Sequence, residues 1–105
     1  MLLTTCDQIP GKEYTVLGFV MGSFVNSKNI AKDIGAGLKS LVGGELKSYT
    51  KLMEDSRLEA LRKMVTEAEK LNADAVVTVR LSSSSIMDGA AELLAYGTAV
   101  KFNAR

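Results

Sequence analysis

Histidine is absent from this 105-residue chain, cysteine occurs once and proline once. Without imidazole, Cys6 has no partner of the kind that commonly activates a thiol nucleophile, and no serine stands in a nucleophile-elbow pattern. A lone cysteine excludes an intramolecular disulfide and agrees with a reducing compartment. No apolar run approaches the roughly 18 residues of a membrane span, and no basic region leads a signal-like segment, so the sequence reads as cytoplasmic. Charge of one sign is lacking too: 13 basic against 12 acidic residues leave a net +1. That excludes a broad electrostatic footprint for nucleic acid or an anionic membrane. Nor is the chain short of apolar residues, which at 47% against 24% charged exclude disorder by composition. At this length one core and one domain over 1–105 are expected.

A short first strand is predicted at Leu2–Thr5, then a turn at Pro10-Gly11. The second strand should run from about Tyr14 to Phe24. Its alternation puts Tyr14, Val16, Val20 and Phe24 on one face and Leu17, Phe19, Met21 and Val25 on the other, so neither face is polar. One layer of helix covers only one of them, and the second asks for a copy of the same chain or for a sheet that wraps its own core.

Asn26 or Ser27 can cap a helix over about Asn29–Leu41, ended by Gly43-Gly44, with Ala31 and Gly35 on one face for a close backbone approach. A longer helix is predicted over about Tyr49–Leu71, capped by Ser48. Leu58, Leu61, Val65 and Ala68 give its periodicity beside Met53 and Met64, and Asn72 suits a left-handed end. Glu59 lies four residues before Lys63 and Glu67 three before Lys70, spacings suited to ion pairs on a solvated face. The last third reads as a hairpin with Asp88-Gly89 at its tip. That turn pairs Ala75 with Phe102, Val77 with Val100, Val79 with Thr98 and Leu81 with Tyr96, all on one largely apolar face. The order is β-β-α-α-β-β, an α+β domain with an antiparallel curved sheet packed by two helices.

Chemistry is sparse in this pattern. Soft metals are held by several thiolates or imidazoles, so an intrachain site is not expected; a symmetric ring could gather copies of Cys6. The five methionines suit gap-filling in the core. A polar ligand site would draw on Asp33, Tyr49, Arg57 and Glu59, with Gly43 and Gly44 offering backbone amides to an anion. The competing reading makes Asp33 and Arg57 a structural ion pair between helices and the glycines a helix terminator.

The block Asn29-x-x-x-Asp33 through Val42-Gly43-Gly44 to Ser48-Tyr49, with Arg57-Leu58-Glu59, Ala73-Asp74-Ala75-Val76-Val77 and Ala95-Tyr96-Gly97-Thr98-Ala99-Val100, resembles the YbjQ-like family. The resemblance runs from Thr4-Thr5 through Val100. It implies a dodecin-subunit-like fold assembled through its sheets into ring-shaped homopentamers, and a label of heavy-metal binding without an established activity. The chain departs from the family where glycine commonly precedes Ala-Asp-Ala-Val, here Asn72, and where glycine commonly follows the valines, here Thr78. An alanine before the family arginine is Ser56. The reading that results is a non-catalytic, ring-forming homo-oligomer that binds a small ligand or a metal ion between subunits. The alternatives are a metal chaperone or sensor using Cys6, and a small enzyme using Asp33, Glu59 and Arg57.

Overall fold

A computed structural model describes residues 1–26, 45–87 and 90–104. The expected helix over 29–41, the Gly43-Gly44 terminator and the Asp88-Gly89 turn lie outside the described residues. Four strands, β1 (Leu2–Leu3), β2 (Tyr14–Asn26), β3 (Ala75–Met87) and β4 (Ala90–Phe102), form one sheet in the order β1-β3-β4-β2, and helix α1 (Glu45–Lys70) packs on it. The sheet is mixed and not wholly antiparallel as expected, because β1 lies parallel to the base of β3, with Leu2 beside Ala75 and Leu3 beside Val76. The long connection through β2 and α1 is what a parallel pair requires. Hydrogen bonds continue past β1: Thr4 N donates to Val76 O, Val79 N to Thr4 O and Thr78 N to Cys6 O, each at 3.0 Å. The Pro10-Gly11 turn forms as predicted, closed by Lys12 N on Ile9 O at 3.0 Å, with Gly11 at φ 76° as the third residue of a type II turn demands.

Helix α1 begins four residues before the expected start, so Ser48 lies inside it and not at its cap. Its buried stripe is also different. Ser56, Ala60, Met64 and Ala68 face the sheet, whereas Leu58 is 62% exposed. Small residues at four-residue spacing let the helix backbone approach β2 at Gly22. A Cβ there would fall against Met64 N and Ala60 O and stand 2.7 Å from Lys63 Cβ. Ser56 Oγ donates to Leu52 O at 2.8 Å, so the one polar member of the stripe is satisfied within the helix. The helix ends as the sequence predicts, with Asn72 at φ 59° and its amide on Glu69 O at 2.9 Å.

The β3–β4 register departs from the expected one by two residues at its base. Met87 pairs with Ala90, as in the expected register, but Ser85 pairs with Ala91, Val77 with Thr98 and Ala75 with Val100. Two bulges on β3 take up the difference, one extra residue near the tip and one between Val77 and Arg80. The second contains Thr78 at φ 51°, and because side chains alternate with period two, an inserted residue exchanges the faces beyond it. The single apolar face expected for Ala75, Val77, Val79 and Leu81 is therefore divided. Val76 and Val79 join Val20, Leu93, Ala95 and Ala99 under the helix. Ala75, Val77 and Val100 pack on the opposite face against Ile9, Tyr14 and Phe102.

Strand β2 has a bulge of its own nearer the base of β4, between Val16 and Gly18 opposite Val100 and Ala99, where Gly18 takes φ 151°. Beyond it Val20 and Phe24 face the helix, while Phe19, Met21 and Val25 face outward and are exposed. From Gly18 on, this is the two-faced strand that the alternation predicts.

Candidate functional site

Of the residues singled out from sequence, Asp33, Gly43 and Gly44 lie outside the described residues, and Tyr49 is placed only as a position within α1. Arg57 is exposed on α1. Glu59 accepts a 3.0 Å bond from Arg62 Nε and a second from Arg62 Nη2, in place of the expected pairing with Lys63. That lysine reaches Ser23 O at 3.1 Å and stands over the Phe24 ring, 5.6 Å from its centroid. The forked bond from Arg62 holds the Glu59 carboxyl below its ordinary pKa. The expected Glu67–Lys70 pair forms at 3.1 Å.

Cys6 is exposed. Its amide donates to Thr4 Oγ1 at 3.1 Å and its carbonyl holds the Thr78 amide, so the backbone of this residue anchors the β3 bulge. A cavity of about 890 Å³ opens beside it, lined in part by Asp7, Gln8, Lys12, Tyr14 and Asn103. Among the described residues no three of histidine, cysteine, aspartate or glutamate come together as metal ligands. One thiol among oxygen donors does not fit a soft metal within one chain.

The outer face of the sheet holds a different constellation. Each bulge exchanges the alternation of its strand, and between them Phe19 of β2 and Arg80 of β3 come out on the face away from the helix. Phe19 pairs with Thr98, and Met21 and Arg80 flank Tyr96 from the two sides of β4. The Phe19 and Tyr96 ring centroids are 6.2 Å apart with 40° between planes, within the range of tilted aromatic pairs. Phe19 is nevertheless 63% exposed. Arg80 Nη1 donates to Thr5 O at 3.1 Å and to Val79 O at 2.9 Å. Those two carbonyls fix the guanidinium, and among the described residues no carboxylate pairs with it. Phe19, Thr78, Arg80, Tyr96, Gly97 and Thr98 line a shallow cleft of about 330 Å³ that is open to solvent. Neither Arg57 nor Glu59 lines this cleft or the cavity beside Cys6. Sequence reasoning passed over Arg80, whose signal was a charge set in the apolar run Ala75-Val76-Val77-Thr78-Val79-Arg80-Leu81.

No helix among the described residues is long and apolar enough to cross a membrane. The model of a family described as "Putative heavy-metal-binding" matches residues 1–103. A UPF0145 protein of Thermosipho melanesiensis is 57% identical over 102 residues, covering 96% of this chain and 94% of its own. Another, from Archaeoglobus fulgidus, is 53% identical with the same coverage. The crystal structure of a protein of unknown function from the DUF74 family of Pediococcus pentosaceus matches with a TM-score of 0.70 at 17% identity, over 98% of each chain.

Proposed function

Since the chain belongs to the YbjQ-like UPF0145 family, we propose that it is a non-catalytic subunit of a cytoplasmic, ring-shaped homo-oligomer that binds a small ligand between subunits. The observation that carries this reading is a pair of strand edges that no described residue covers. Among the described residues β2 is the last strand of the sheet, and Tyr14–Asn26 contains neither a charged residue nor a proline. β1 covers only the base of β3, and from Leu81 to Met87 that strand is also uncharged. Long uncharged edges are templates for pairing with another chain. One subunit carrying two different open edges joins head to tail, and head-to-tail contacts close into rings when the rotation allows. The exposed Val16, Met21 and Val25 beside the β2 edge gain cover in such an assembly, and five is the number of copies we propose from the family resemblance.

Met21→Lys tests the reading, because Met21 is exposed and its replacement leaves the helix-side core intact. Light scattering on the parent protein at micromolar concentration should give a multiple of the 11.2 kDa subunit mass, reduced by the substitution. A monomeric parent would contradict the proposal.

A second reading, metal binding by copies of Cys6 brought together in the ring, is supported by the exposure of that thiol and the family description. Cys6→Ser should then abolish stoichiometric binding of a soft metal ion; unchanged binding would exclude the thiol as a donor.

A further inference from the structure

We propose that the outer-face cleft around Arg80 binds a small organic anion bearing a flat ring, its carboxylate on the guanidinium and its ring against Phe19 and Tyr96. This names the ligand class for the inter-subunit binding suggested above and rests on that reading only for what closes over the cleft.

The backbone supplies the first reason. Thr78 is β-branched and stands at φ 51°, a conformation that β-branched residues rarely hold. Without the extra residue there, alternation would turn Val79 outward and Arg80 toward α1. The bulge instead sends Val79 into the core and places Arg80 beside Tyr96 on the outer face. Bulges that re-aim one side chain recur next to functional sites, and backbone strain collects there as well. The β2 bulge does the same for Phe19 from the other side of β4. Two independent irregularities therefore converge on one cleft.

Its chemistry is the second reason. Nη1 of Arg80 is used by Thr5 O and Val79 O, while Nε and Nη2 of this exposed side chain are bonded to no described residue and are accessible to a ligand. A carboxylate matches two such nitrogens in a planar fork. No acidic residue lines the cleft, so an anion meets no repulsion from its walls. Two aromatic rings on neighbouring strands give a flat ring an apolar surface, and the Thr78, Thr98 and Tyr96 hydroxyls offer further donors. At about 330 Å³ the cleft has the volume of a small ligand site, but it is open on one side and needs a neighbouring subunit to close over the ligand.

Benzoate is the probe, with acetate and benzylamine as controls, titrated into the full chain while amide and aromatic NMR signals are followed. Benzoate should produce saturable shifts at Phe19, Thr78, Arg80 and Tyr96, acetate weaker ones and benzylamine none. Arg80→Gln should weaken benzoate at least tenfold. Since Arg80 also holds Thr5 O, Phe19→Ala provides a second variant at an exposed position, and it should bring benzoate affinity down to that of acetate. Absence of saturable shifts, equal response to benzylamine, or unchanged binding in Arg80→Gln would overturn the proposal. Light scattering on the same samples separates the two readings: a monomer that still binds benzoate removes the ring and leaves the cleft, and an assembled protein indifferent to benzoate does the reverse.

Discussion

Thr78→Gly should stabilise the protein, although glycine inside a strand ordinarily weakens it. Thr78 stands at φ 51°, and holding a residue in a sparsely populated backbone region costs about 1–3 kcal/mol. Against that relief, glycine loses more conformational freedom on folding, about 0.5–1 kcal/mol relative to alanine. The half-buried threonine methyl contributes up to about 0.8 kcal/mol that would also be lost. Taking middle values, the net is a gain of about 0.5–1 kcal/mol, equivalent to a rise in melting temperature of about 2–8 °C for a domain of this size. The assay is guanidinium unfolding at one fixed protein concentration, because assembly makes apparent stability depend on concentration. Thr98→Gly is the control, since Thr98 lies in the directly paired part of β4 opposite Phe19, where glycine should cost about 1 kcal/mol. If Thr78→Gly destabilised the protein as much as Thr98→Gly, the bulge and the argument for Arg80 on the outer face would both fail.

Gly22→Ala should destabilise by about 1–3 kcal/mol, the range for overpacking, because the added methyl meets Met64 N and Ala60 O of α1; the same unfolding experiment measures it, and a loss under about 0.5 kcal/mol would mean that helix and strand lie farther apart. Glu59 should titrate below its ordinary value because of the bonds from Arg62. A lowered folded-state pKa means that the pair's contribution is fully present above the ordinary glutamate range and is lost as pH falls through the lowered value. An NMR titration of the Glu59 carboxyl with and without Arg62→Gln checks this, the substitution moving the midpoint upward.

The parts of the fold legible in the sequence are those set by uninterrupted periodicity. The body of α1, the two faces of β2 beyond Gly18 and the left-handed end at Asn72 all follow from local pattern or local steric preference. The buried stripe of α1 was not legible from large apolar residues, because Ser56, Ala60 and Ala68 owe their burial to a close approach at Gly22. The bulges were hidden for a sharper reason. A threonine carries no signal for positive φ, yet one inserted residue at Thr78 exchanges the faces of the strand on either side of it. Asn72 and Thr78 are the two non-glycine residues with positive φ among the described residues, and only the asparagine is a residue type that commonly takes that conformation. The candidate cleft inherited the same opacity, since Phe19 and Arg80 reach a common face only after both strands have slipped by one residue.

Native mass spectrometry of the protein purified without added metal or ligand tests assembly and ligand binding together. A five-subunit mass, carrying an additional small mass that Arg80→Gln removes, is the result expected; a bare monomer at micromolar concentration would contradict the account.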